Sequence, residues 1–347
     1  MIRTAISVTL IVGMLSSQVL AYGDRGHQLV GAIADRRLKD NAAIHNKIDE
    51  LLDQLDLETV AVFPDQIIKS IDRSTPDHVF SRFPHVSDRL RQELTDFWEA
   101  NHDRPLPSPA ENRHRMAHYT DVPLQGAPKY QTGGKGQTEF DIVHAIPRCI
   151  RILKGRPTPE DEDRKITPSV ALILLAHYVG DIHQPLHVGA EYFDSTGQPV
   201  DPANDLNALS DTGGNDIHFR FVPRHGARAH NLHAYWDEDA VDEAFPDDDD
   251  DANAANLAGN EPAGWKLADD IGIEGWAEAW ANEILPVAAK AHPAMSFQGI
   301  VLGEEGKHIF DIQLNSNTYP KFAGNAVNTA IHKAGWRLAA VLEDVLQ

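Results

Sequence analysis

The chain has a single cysteine, Cys149, in 347 residues. No internal disulfide can form, so a small disulfide-stapled scaffold is excluded and stability must come from a packed core. Clustered thiolates cannot hold a structural zinc ion either. Beyond the N-terminal stretch, no segment offers the roughly 20 apolar residues that a membrane span needs. Positive charge is also scarce: 31 Lys and Arg stand against 52 Asp and Glu, a formal net charge of −21. A protein that grips nucleic acid mainly by neutralising phosphates should be basic. The balance therefore argues against a DNA-packaging or repressor role. It leaves open an enzyme whose phosphate contacts are made through metal ions, which are often the largest local charges in a site.

Histidine, by contrast, is plentiful, with 18 residues. It is the commonest metal ligand and the usual acid or base at neutral pH. Scattered surface histidines are the ordinary explanation for such a number, so spacing has to decide. Apolar content of 42% and charged content of 24% are ordinary globular values and exclude a disordered chain.

The first residues have the order of a signal peptide: Arg3, a mostly apolar stretch from Ala5 to Leu15, and the small-residue pattern Val19-Leu20-Ala21. Cleavage after Ala21 is expected, because the apolar run is short for an anchor helix. Residues 1–21 are thus expected to be an export signal, 22–347 the functional domain, and the location secreted or periplasmic.

The remainder predicts an all-α fold in one mostly helical domain with long loops. Val30, Ile33, Ala34 and Leu38 repeat at helical spacing, as do Ile48, Leu51, Leu52 and Leu55. Thr138 is placed to cap a helix carrying Ile142, Ile146, Cys149 and Leu153. Thr167-Pro168 marks the start of another helix, apolar nearly all round and therefore buried, which Pro185 should stop. Trp276 to Val287 and Ala323 to Leu346 supply two more. Strand signals are few, the best being Ile217 to Val222. Arg104 to Asn112 and a mobile acidic insertion around 238–260, with its run Asp247 to Asp251, are expected on the surface. That run lacks the spaced ligands and glycine of a calcium loop.

The strongest local signal is His177-Tyr178-Val179-Gly180-Asp181-Ile182-His183-Gln184-Pro185-Leu186-His187. Four residues apart on a helix, His177 and Asp181 face the same way, as two ligands of one ion must. A buried helix carrying both is hard to explain without a compensating ion. His233 and Asp237 repeat the spacing, and His118-Tyr119-Thr120-Asp121, Asp65 and His27 add candidates. Nitrogen and carboxylate donors in this number exceed one ion's needs and suit catalytic zinc.

These motifs, together with Gly213-Gly214-Asn215 and Ala334-Gly335-Trp336-Arg337, resemble the S1–P1 nuclease family across nearly the whole chain from Tyr22. Its members are secreted trinuclear zinc nucleases that share their fold with bacterial zinc phospholipases C. The resemblance implies three Zn2+. Asp65, His118, His177 and Asp181 would hold the first. Tyr22, through its α-amine and carbonyl oxygen, would hold the second with His27 and the shared Asp181. His187, His233 and Asp237 would hold the third. It further implies that Tyr119 and Asp121 lie near the substrate, that Asn215 contributes to nucleobase recognition, and that Asp121 and Asp181 are the catalytic carboxylates. Two positions depart from the pattern. Tyr22 stands where the family has tryptophan, but the ligating atoms belong to the backbone. Ile68 stands where the family often has a phosphate-binding arginine; the adjacent Lys69 is the substitute, turned by about 100° on a helix.

The expected activity is hydrolysis of single-stranded DNA and RNA to 5′-phosphate products, with 3′-nucleotidase activity. Nucleic acid and nucleotides are the substrates, with no stable protein partner implied. The alternatives are a zinc phospholipase C, which would need an apolar lipid-facing mouth, and a zinc-binding protein without catalysis.

Overall fold

Thr167, Pro168 and a run of apolar residues set up the element on which the rest is assembled. The Thr167 side chain accepts the Val170 N–H and starts the helix Pro168–Asp181, in which every residue from Ser169 to Asp181 is buried. An apolar surface on all sides needs neighbours on all sides. Helices Gly23–Leu38, Phe63–Ile68, Asp88–Asn101, Ile142–Leu153 and Tyr319–Val345 supply them. The computed structural model describes residues 22–70, 74–102, 114–219, 231–268, 270–292, 295–302, 308–314 and 318–347. The expected signal segment 1–21 and the proline-rich stretch 104–112 lie outside the described residues. The architecture is mostly helical, as the periodicity predicts.

Two glycines let the first helix pack closely, Gly335 against the long C-terminal helix and Gly31 against the short helix Leu57–Val60. A Cβ on Gly335 would sit 2.5 Å from Ile33, and one on Gly31 would sit 2.4 Å from the Leu57 carbonyl oxygen. Asp35 then fastens the turn Leu57–Val60 to the first helix by accepting the N–H groups of Leu57 and Glu58.

Three details differ from the sequence-based expectations. Asp141, not Thr138, caps the helix Ile142–Leu153, its carboxylate accepting the Val143 N–H. An ionised carboxylate is the stronger partner for orphan amides and the helix dipole. The acidic stretch expected to be a mobile insertion contains the helices Ala240–Ala244 and Asp250–Gly259, with Ala254, Leu257 and Ala258 buried. Arg25 explains its order: its guanidinium binds Asp250 and Asp242, while Arg36 binds Asp251. Finally, Ile217–Phe219 is a strand but not an isolated one. It pairs in parallel with His308–Leu314, which pairs antiparallel with Met295–Leu302. Residues 220–222 of the expected strand lie outside the described residues.

Two shorter pairings matter for the site. Val122–Pro123 runs parallel to Gly189–Ala190, tying the chain after His118 to the chain after His187. Thr120 N–H also donates to the His187 carbonyl at 2.8 Å. No helix of the described residues is long and apolar enough to cross a membrane.

Candidate metal centre

The C-terminal turn of the buried helix Pro168–Asp181 carries His177 and Asp181, and neither is exposed. The first helix brings His27 against them. Its ring stacks on His177 with centroids 3.8 Å apart, and its Nε2 lies 3.2 Å from Asp181 Oδ1. Glycine at 180 permits this approach, since a Cβ there would lie 2.7 Å from His27 Nδ1. Asp181 Oδ2 faces the other way, 3.1 Å from His177 Nε2 and 3.0 Å from His118 Nδ1. Asp65, from the short helix Phe63–Ile68, completes that side, with Oδ1 3.5 Å from His177 Nε2 and 3.8 Å from His118 Nδ1.

Asp181 thus presents one oxygen to each of two donor groups: His27, His177 and Asp181 form one, and Asp65, His118 and His177 the other. His187, His233 and Asp237 form a third. Two donors about 2.0 Å from one ion at a tetrahedral angle lie about 3.3 Å apart. The 3.0–3.8 Å separations above bracket that value. His233 Nε2 lies 3.4 Å from Asp237 Oδ2. Their four-residue spacing works through a π-helical turn, Tyr235–Asp239, which follows the short helix Leu232–Ala234. Such turns cluster at functional sites.

The fit to cations rests on buried polar atoms that face only one another across the donor groups. Both carboxylate oxygens of Asp65 and Asp181, and Nε2 of His187 and His233, are buried without a hydrogen-bond partner. An uncompensated buried carboxylate costs several kcal/mol. The second ring nitrogens are fully engaged. Nδ1 of His177 contacts Ala61 O at 2.6 Å, Nδ1 of His187 contacts His118 O at 2.7 Å, and Nδ1 of His233 contacts Gly213 O at 2.7 Å. In His187 and His233 the bond fixes the tautomer that leaves Nε2 without a partner, and in His177 it turns Nε2 toward His118 Nδ1 at 3.0 Å and the carboxylates. Gln184 orients Asp237 in the same manner, donating to its Oδ1 at 2.8 Å.

The titration behaviour fits this picture. Burial pushes Asp181 up to about 7, against the pull of His177. Burial raises Asp237 well above the carboxylate range. Burial also holds His118 and His187 well below the usual imidazole range and lowers His233 to about 4. His177 is the exception: burial lowers it, but Asp181 and Asp65 outweigh burial and lift it to about 10. Neutral imidazoles facing carboxylates that are costly to ionise alone are a donor set that a divalent ion would stabilise.

The remaining expected residues surround these groups. Tyr22 is fully buried, and its hydroxyl donates to the His183 carbonyl at 2.8 Å. A Cβ on the next residue, Gly23, would lie 3.0 Å from Asp237 O, so the start of the first helix adjoins the third group. Tyr119 and Asp121 are half-buried. Tyr119 directs its hydroxyl to Met116 Sδ at 3.1 Å. Burial, with Asp211, Asp216 and Asp141 adding to it, pushes Asp121 up to about 7. Asn215 uses one amide N–H on Thr212 O at 2.9 Å and sits on the loop whose Gly213 carbonyl holds His233. Lys69 is drawn toward Asp24, with Nζ 4.0 Å from Oδ1, and Asp24 also binds Arg82 and Gln66.

Sequence reasoning assigned no role to several residues that shape the site. His114 lies behind His118. His183 accepts from Arg337 at 2.8 Å, and Asp211 binds His292 at 2.8 Å. His183 and Gln184 stood inside the strongest motif, so position was a signal for them. His114 stands four residues before His118, the spacing of the other pairs, so it too carried a signal; nothing local marked Asp211 or His292.

The S1/P1 Nuclease family model matches residues 22–347. The chain belongs to that family. It is similar to Endonuclease 2 of Arabidopsis thaliana, 23% identical over 229 residues, which is 65% of this chain and 58% of that one. It is also similar to Endonuclease 1 of the same plant, 35% identical over 79 residues, covering 23% and 19% of the two chains. Endonuclease 4 is 37% identical over 75 residues, covering 22% and 18%. The chain thus spans less than two thirds of the length of these relatives.

Proposed function

We propose that the chain is an exported zinc-dependent phosphodiesterase that cleaves single-stranded DNA and RNA to 5′-phosphate products and also acts as a 3′-nucleotidase. One observation carries the reading: Asp181, fully buried, directs its two oxygens at histidines of two adjoining donor groups while a third group lies close by. Asp65, His118, His177 and Asp181 hold the first zinc. The Tyr22 amine and carbonyl, His27 and Asp181 hold the second. His187, His233 and Asp237 hold the third. Zinc in such a site supplies a water of lowered pKa and a Lewis acid for phosphate oxygens.

The protein's own groups do the rest. Asp121, pushed up to about 7, takes up or releases a proton near neutrality. Tyr119 offers a base a stacking face, which a duplex cannot use because its base faces are covered. Asn215 keeps its carbonyl oxygen and one N–H for a base edge, and both follow from the bond to Thr212. Lys69 reaches a phosphate only by parting from Asp24. The phospholipase alternative receives no support, since Leu206 is the one large apolar side chain that is strongly exposed among the described residues.

Metal analysis combined with parallel turnover of single-stranded DNA, RNA, a 3′-nucleotide and a phospholipid tests the proposal. Three zinc ions per chain and turnover of the first three substrates are expected. Fewer than two ions in an active preparation, or turnover of phospholipid alone, would refute it. The amine ligand requires cleavage between Ala21 and Tyr22, because an amide nitrogen has no lone pair to give. A chain starting Met-Tyr22 should bind less zinc than one starting at Tyr22; equal stoichiometry removes that ligand from the assignment.

A further inference from the structure

Among the paired ligand histidines, His118 is held differently. His177, His187 and His233 rest their outward nitrogens on backbone carbonyls at 2.6–2.7 Å. His118 presents Nδ1 to the carboxylates, so Nε2 is its outward nitrogen, and that atom faces His114 Nε2 at 3.5 Å. The rings meet edge to face with centroids 4.8 Å apart, and both are buried. His114 has two other partners: Tyr178 Oη lies 3.4 Å from its Nδ1, and Pro64 O lies 3.3 Å from its Nε2. Pro64 immediately precedes Asp65. One buried ring therefore touches the supports of two ligands of the same group.

We infer that His114 is a positioning residue, which sets the tautomer of His118 and thereby the affinity of the site formed by Asp65, His118, His177 and Asp181. The inference rests on the zinc reading above. His118 can give its Nδ1 lone pair to a metal only if its proton sits on Nε2, and that proton then needs an acceptor. His114 Nε2 is the acceptor when the His114 proton is on Nδ1, where Tyr178 Oη receives it. When the proton moves to His114 Nε2, it goes to Pro64 O, and His118 loses its acceptor. No atom is gained or lost: a single proton changes ring nitrogen. A carbonyl cannot refuse a proton in this way, so the supports of His177, His187 and His233 have one form and that of His118 has two. Glutamine is no bulkier than histidine and carries both a donor and an acceptor, so it takes the place of His114 without crowding.

The test measures zinc content and the rate of zinc loss to a chelator in the purified protein that begins at Tyr22. It uses His114→Leu, His114→Gln and Tyr178→Phe, with circular dichroism as the check on folding. Loss of such a supporting bond typically weakens a metal site about 10–100-fold. The leucine variant is expected to release one zinc faster by that factor. Glutamine, which keeps an acceptor, is expected to recover most of the deficit. Tyr178→Phe, which removes one oxygen and is the gentler change, is expected to speed release of the same ion and to shift the His118 ring ¹⁵N resonances toward the other tautomer. Leucine and glutamine variants equally impaired, or a phenylalanine variant with wild-type release, overturn the inference. If leucine prevents folding, the glutamine and phenylalanine variants decide. Wild-type protein that binds no zinc would instead refute the zinc reading itself.

Discussion

Asp181 makes the sharpest prediction at the scale of single residues. Replacing it with asparagine keeps the shape but removes the charge that faces His27 on one side and His118 and His177 on the other. Asp181→Asn is expected to lose two zinc ions and on the order of 10³-fold in rate, as several kcal/mol of metal-derived stabilisation disappear. A variant that keeps full zinc and full activity would show that the carboxylate bridges nothing. Asp121 predicts a pH dependence. Its carboxyl is raised to about 7, so the basic form exists above that value and is lost as pH falls through it. The pH–rate curve should drop on the acid side near 7, and Asp121→Asn should be slow at all pH values without that limb. An unchanged limb in the variant would assign it to another group. At this scale repeated four-residue spacing pointed to candidate ligands, which the structure brings together in three groups. His114 has that same spacing from His118 and was open to the same reading; the Asp211–His292 pair, 81 residues apart, left no local trace.

Between elements, close packing at glycine is the testable feature. A methyl group at Gly335 meets Ile33 at 2.5 Å, and one at Gly31 meets the backbone at Leu57 at 2.4 Å. Gly335→Ala should destabilise by about 1–3 kcal/mol. Gly31→Ala should cost at least as much, because a backbone cannot rotate away. Gly259 has nothing within 4 Å of the same position, so Gly259→Ala serves as the neutral control. Urea midpoints measure all three, and equal midpoints would mean that the first helix is free to move from its neighbours. The helices themselves were legible where pattern and cap agreed, as at Thr167-Pro168. They were misread where a better cap lay three residues on, at Asp141. The three-stranded sheet was largely missed because only one of its strands stood out by composition, and strand pairing over some 90 residues leaves no local trace. The acidic stretch read as mobile because like charges repel; the arginines that neutralise it, Arg25 and Arg36, are more than 200 residues away in sequence.

For the molecule as a whole, the excess of negative charge governs how substrate can be held. Among the described residues, several arginines around the site are already committed: Arg25 to Asp242 and Asp250, Arg82 to Asp24, and Arg337 to Glu283. With a net charge of −21, the chain has little cationic surface with which to displace counterions from a polynucleotide. On the proposed reading, phosphate contact falls to the metal centre and only one or so phosphates are neutralised by side chains. For single strands, affinity falls with salt with a logarithmic slope of about −0.7 per phosphate neutralised. Raising sodium chloride fourfold, from about 50 to about 200 mM, should therefore raise KM for a single-stranded oligonucleotide by about threefold or less. A protein that neutralises 6–10 phosphates would lose about 10³–10⁵-fold over the same range. Steady-state kinetics on one oligonucleotide at the two salt concentrations decides between these cases. A hundredfold rise in KM would mean that several lysines and arginines track the strand directly, and the metal centre would then not be its main anchor.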